Sequence, residues 1–196
     1  MEYPDFYNDI EHIVLKDKLS MFLGSTGEGI IDFSYLDIVK MAGHGCVLVS
    51  GTYLMALKGL SQLYGKEMPV RGEIKVEMRA GLEEGNTGAA GQVLSNITGA
   101  TSDSGFRGIN GQHNRRGLLA YGADIPYKVR FTRLDNNANV DVNYTPEKVV
   151  NPGPIMQLAI GPDATEESRK SFPLQWQEMI SKIFLQADEV IKVFIH

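Results

Sequence analysis

The chain has 196 residues, 19 Lys and Arg against 24 Asp and Glu, and 43% hydrophobic residues, a size and balance that suit one domain with its own buried core. A single cysteine excludes an intramolecular disulfide and any zinc site built from several thiolates. A formal charge of -5 gives no general attraction to nucleic acid or an anionic membrane, and no apolar run approaches the roughly 20 residues that a bilayer span requires.

The start, Met1-Glu2-Tyr3-Pro4-Asp5, is acidic and lacks the positive charge that opens a secretory signal. With one thiol and no export signal the expected compartment is the cytoplasm. Residues 5 to 23 read as an amphipathic helix, with Phe6, Ile10, Ile13, Val14 and Leu19 on one face and Gly24 ending it. After the loop Ser25 to Gly29, a brief helix is expected from Ser34, as N-cap, to Met41, stopped by Gly43. Gly43-His44-Gly45-Cys46 then leads into a strong helical pattern from Val47 to Tyr64, closed by Gly65. Cys46 therefore falls at a helix N-terminus.

Between Glu73 and Ala80 apolar and charged residues alternate strictly, which predicts a half-buried strand. From Gly81 to Gly122 the chain is dense in Gly, Ser, Thr and Asn, interrupted by a short helix candidate, Ala89 to Ile97, and by the apolar run Leu118 to Tyr121. Glycine-rich stretches of this length inside a domain are more often functional or closely packed than linkers. Two alternating runs, Tyr127 to Thr132 and Asn139 to Tyr144, flank the turn residues Asp135-Asn136-Asn137 and predict a hairpin. A short strand is expected over Ile155 to Ile160. A final helix is expected over Phe172 to Phe194, with Pro173 in its first turn and Trp176, Ile180, Phe184, Ala187 and Ile191 as its apolar stripe. The class is α+β: an antiparallel-rich sheet flanked by helices, with helices at both termini, in a single domain spanning residues 1 to 196.

Two constellations carry chemistry. His44 and Cys46 stand two apart in a glycine-bracketed turn and can face one ligand; a thiol at a helix N-terminus is also favoured as a thiolate, which suits a metal ligand or a nucleophile. The plainer reading makes Cys46 a small buried hydrophobe and His44 a satisfied turn residue. The second constellation runs from Thr101 through Ser104 and Arg107 to His113, Arg115 and Arg116, where cations and glycine-exposed backbone N–H groups can cradle a phosphate or carboxylate. Against it stands a solvated loop whose arginines pair with the excess carboxylates. No phosphate-binding or dinucleotide fingerprint is present, and no Gly-x-Ser-x-Gly nucleophile elbow. Glu73 and Glu77 share a strand face but read as ordinary solvated charge.

The Gly43-His44-Gly45-Cys46 turn opening a helix, followed by a strand and then by Gln92-Val93-Leu94-Ser95-Asn96-Ile97-Thr98-Gly99-Ala100-Thr101, resembles the core domain of the FmdE family of formylmethanofuran dehydrogenase over residues 34 to 145, with residues 146 to 196 as a C-terminal extension. The resemblance implies an α+β core, often dimeric, with a pocket in which His44 and Cys46 ligate a metal, zinc first. Val47 stands where that family often has proline, and Ala100 where it often has a second cysteine; if that thiol is a ligand, His113 or a carboxylate must replace it. The C-terminal zinc finger of some members is absent, and the activity of the methanogenic complex is not transferred. The expected function is thus binding of a metal, small molecule or anion around His44 and Cys46, with Thr101, Ser104, Arg107, His113 and Arg115 lining the pocket. The alternatives are a thiolate enzyme using Cys46 with His44 or His113 on an anionic substrate, and an assembly component of a redox complex docking through the Trp176 stripe.

Overall fold

The structure is a computed structural model that describes residues 3–196; Met1 and Glu2, which open the acidic start, lie outside the described residues. A 3-10 turn, Asp5–Asp9, leads to β1 (Ile13–Asp17), the one-turn helix α1 (Lys18–Phe22) and β2 (Ile30–Phe33). The one helix expected over residues 5 to 23 is therefore broken into a 3-10 turn, a strand and a one-turn helix. Its apolar residues fit either period, but Ile13, Leu15 and Asp17 alternate as buried positions, and pairing with β2, Ile13 opposite Phe33, decides for the strand.

Ser34 caps α2 (Tyr35–Ala42) in a reciprocal capping box with Asp37, and Gly43 ends it in the left-handed region at φ 80. Next comes α3 (Val47–Tyr64), buried almost all round. It can lie flat on the sheet because two of its residues have no side chain: a Cβ on Gly51 would come 2.0 Å from the Tyr144 ring, and one on Gly59 would come 2.9 Å from Phe131 and Val142. The chain continues through β3 (Val70–Arg71), β4 (Ile74–Met78), α4 (Thr87–Thr98), β5 (Leu119–Ala120), β6 (Val129–Arg133) and β7 (Asn139–Tyr144), matching the expected strand, short helix and hairpin.

The last part departs from expectation. The segment Ile155 to Ile160 belongs to a helix, α5 (Pro152–Ile160), whose Asn151 cap accepts from Gly153 N–H and whose first residue is proline. A short apolar run cannot by its period distinguish strand from helix. The following helix, α6 (Glu166–Leu185), starts earlier than Phe172 because Thr165 and Ser168 cap it, and Pro173 lies in its interior rather than its first turn. It also ends earlier than Phe194: after α7 (Ala187–Val190) the chain forms β8 (Ile191–Ile195), antiparallel to β7.

Among the described residues there are two sheets rather than one: a three-stranded sheet in the order β2-β1-β3 and a five-stranded sheet in the order β5-β4-β6-β7-β8. The β1–β3 and β4–β5 pairs are parallel and the other strand pairs of the described residues are antiparallel. The class is α+β. One apolar cluster joins residues from both sheets with α2, α3, α4 and α6, including Ile180 and Ile183 of the C-terminal extension. No helix among the described residues is long and apolar enough to cross a membrane.

Candidate functional site

The turn between α2 and α3 holds the two residues singled out first. Cys46 is the N-cap of α3 with extended backbone, its side chain makes no capping hydrogen bond, and it is half-buried. His44 is exposed, and its Nδ1 donates to Ala42 O at 3.1 Å. The turn is clasped from outside by the C-terminal helix: Trp176 Nε1–H donates to Gly45 O at 3.0 Å, and the Tyr7 hydroxyl donates to Gln177 Oε1 at 2.9 Å. A Cβ on Gly45 would lie 2.6 Å from the Tyr7 hydroxyl, so the motif's central glycine answers to this packing. Beneath it Tyr35 donates to Ser50 Oγ, which donates to Cys46 O. Burial first, and among lesser causes the neighbouring Cys46, pushes the Tyr35 and Tyr144 phenols far above the ordinary tyrosine value. Among the described residues no group of three His, Cys, Asp or Glu side chains is placed to hold a metal ion. His44 and Cys46 together offer two donors, one fewer than a catalytic zinc takes from protein.

Beyond Tyr144 lies a cavity of about 610 Å³ between α3, α4 and the five-stranded sheet. Leu48, Met55, Met78, Ala90 and Val129 give it an apolar floor, and Tyr144 forms one wall, held by a 2.9 Å bond from its hydroxyl to Val47 O in the first turn of α3. Two cations stand at the rim. Arg79 donates to Pro126 O at 3.3 Å, and Lys128 Nζ lies 5.6 Å from the Tyr144 ring centroid. Asn86 and Thr87, where α4 begins, also line the cavity, and the Asn86 side chain makes no capping bond. The leading N–H groups of a helix have no intrahelical acceptor and carry its partial positive charge. The one carboxylate on the lining, Glu84, accepts from Gly81 N–H.

The glycine-rich loop divides the remaining candidates. Thr101 N–H and Oγ1 both donate to Arg115 O at 2.8 Å, Arg115 N–H donates to Phe106 O, and Gly117 N–H to Ser102 O closes the loop. These bonds turn Arg115 inward, where it is 6% exposed. Its Nη2 donates at 2.8 Å to Asp17, and Arg71 Nη1 donates to the other oxygen of the same carboxylate, also at 2.8 Å. Burial alone would raise the Asp17 carboxyl, but hydrogen bonds from Arg71 and from Ser20 N–H, with the two guanidinium charges, hold it below the usual carboxylate range. Thr101 and Arg115 share a cavity of about 420 Å³ with Arg71. Ser104 and Arg107 are exposed on the loop. His113 sits beside Phe22, ring centroids 5.8 Å apart, and lines a smaller cavity behind Arg115. Neither Arg115 cavity includes His44 or Cys46, so the two constellations do not form the one pocket expected.

Sequence reasoning passed over Asp17, Arg71, Arg79, Lys128 and Tyr144. Arg71 and Asp17 meet across 54 residues, and no local spacing announces them. Asn86 ahead of Thr87-Gly88-Ala89-Ala90 was a readable start signal, since an Asn before small residues marks a helix N-terminus. No family model matches the chain, and no curated protein matches it either.

Proposed function

We propose that this protein binds a small organic anion with an apolar body in the cavity between α3, α4 and the five-stranded sheet. The observation that carries the reading is an opening that combines an apolar floor with Arg79, Lys128 and the start of α4, whose Asn86 makes no side-chain capping bond, at its rim. Its size of about 610 Å³ falls in the range of small-molecule sites, roughly 300–1,000 Å³. An anionic head at the rim meets two cations and the positive end of the α4 dipole, while the body replaces water over Met55, Met78 and Val129. Titration with decanoate, followed by calorimetry, tests this. Saturable binding that weakens about tenfold in Lys128→Glu supports the reading, and binding that is absent or indifferent to that change removes it.

The wider expectations belong to the same proposal. Kinship with the FmdE core of formylmethanofuran dehydrogenase is supported by the order of its two motifs, the Gly43–Cys46 turn entering α3 and α4 running into Gly99. A homodimer and cytoplasmic residence go with that kinship. Zinc on His44 and Cys46 requires a donor from outside the described residues, and metal analysis of wild type beside Cys46→Ser decides it. The thiolate-enzyme alternative lacks a hydrogen bond between Cys46 and His44 or His113. The assembly alternative lacks a free stripe, because Trp176 and Ile180 face the chain's own fold.

A further inference from the structure

The far end of α4 carries a buried guanidinium nitrogen that the protein leaves without a hydrogen-bond partner. Asp17, 2% exposed, is one carboxylate facing two guanidiniums, those of Arg71 and Arg115. It is already saturated by them and by the N–H groups of Leu19 and Ser20. Arg115 is the more deeply placed, with 7% of its side chain exposed, and its Nη1 has no hydrogen-bond partner. That nitrogen is wedged between two backbones: a Cβ on Gly72 would fall 2.1 Å from it, and one on Gly99 2.3 Å. Both glycines also have positive φ, 82 and 74, so the sequence keeps this slot open twice over. A buried, incompletely compensated cation is costly, and native structures rarely leave one without an ion or polar group to meet it.

Arg71 is fixed from three sides. Its Nε and Nη2 donate to Ile97 O and Asn96 O, answering the carbonyl end of α4, and its Nη1 donates to Asp17. A guanidinium has five N–H donors, so one N–H on each terminal nitrogen is uncommitted. The cavity of about 420 Å³ beside it is lined by Ser20, Ser25, Ser95, Asn96 and Thr101. Asn96 Oδ1 accepts from Gln92, which leaves its amide N–H groups as donors. Leu23, 58% exposed, and Phe106, 40% exposed, form an apolar lip.

We infer that this cavity is a second, separate site that takes a small oxyanion, a carboxylate or phosphomonoester carried on a compact apolar or aromatic body. The oxyanion accepts from Arg71, Asn96 and the Ser25 and Ser95 hydroxyls on the lining and adds a negative charge beside two guanidiniums that share the Asp17 carboxylate. The body lies against Leu23 and Phe106. The site is independent of the cavity at the start of α4, and either can exist without the other.

The test is NMR and calorimetric titration of the full chain with phenyl phosphate, benzoate and inorganic phosphate at constant ionic strength. Two variants are compared with wild type: Leu23→Glu, which places a carboxylate on the exposed lip without touching the core, and Asn96→Asp, which replaces donors with an acceptor. The expected result is saturable binding of phenyl phosphate or benzoate that perturbs the amides of residues 95–99 and 101–117. Binding weakens at least about tenfold in both variants and is unchanged in Lys128→Glu. Inorganic phosphate binding equally well keeps the site and removes the apolar contribution at the lip. No saturable binding by any of the three anions, or binding undiminished in both variants, overturns the inference.

Discussion

The two ends of α4 solve opposite problems. At its start the helix is uncapped and opens on a wide apolar cavity with Arg79 and Lys128 at the rim. At its finish Gly99 turns the chain at φ 74, Arg71 takes two carbonyls, and Asp17 binds Arg71 to Arg115 under nearly complete burial. The first end is held together by packing and by local hydrogen bonds around Glu84. The second is held by a polar cluster whose parts come from β1, β3 and the glycine-rich loop. Removing one member should therefore cost much more at the second end than at the first.

Asp17→Asn gives the largest effect. It strands two guanidiniums in a buried site, and breaking a buried pair costs about 3–5 kcal/mol, read as a drop in the denaturation midpoint. At the first end Glu84→Gln, on the surface, should stay within about 0.5 kcal/mol. If the two changes cost the same, the contrast between the ends fails. Gly51→Ala comes next: the new methyl group meets the Tyr144 ring at 2.0 Å, and overpacking of this kind costs about 1–3 kcal/mol. Because Tyr144 is a wall of the first cavity, the same change should weaken decanoate binding while leaving the Arg71 cavity untouched.

The acid response separates the ends by charge state. The Asp17 carboxyl is held below its unfolded value by Arg71 and Arg115 against the opposing effect of burial. Its contribution is thus present above the unfolded value of about 3.9 and lost as pH falls below it. Urea denaturation between neutral pH and pH about 3 should show this loss in wild type, with a shallower slope in Asp17→Asn. The smallest effect belongs to Cys46→Ser. A half-buried thiol with no capping bond should cost under about 1 kcal/mol, and a larger loss would mean that the turn bears more of the fold than its contacts indicate.

Local patterns carried much of the architecture. Ser34 before an apolar turn, Gly43 and Gly65 as stops, the alternation through Ile74 to Met78 and the hairpin around Asn136 each involve neighbours in sequence, and each appears as read. The failures lie where two periods fit one segment. Ile13 to Leu15 became a strand because β2 and β3 were available to pair with β1. Ile155 to Ile160 became a helix because Asn151 and Pro152 start one and α6 packs along it. Ile191 to Phe194 left the expected helix because the free edge of β7 offered a ladder.

The candidate sites divide in the same way. Cys46 at a helix start was legible, since an N-cap is defined by the few residues around it. That Arg115 turns inward while Arg107 turns out was not, because the choice depends on Thr101 reaching Arg115 O and on Gly72 and Gly99 leaving a slot for a guanidinium. The sequence alone determined the class, the starts of α2 and α3 and the cationic character of the loop after Thr101, all set by interactions within a few residues or by composition. Only the tertiary structure separated the His44–Cys46 turn from that loop, brought Asp17 to Arg71 and Arg115, and opened the cavity under α4. Those outcomes are settled by burial and hydrogen bonding between groups far apart in the chain, whose energies exist only once the sheets and helices have closed on one another.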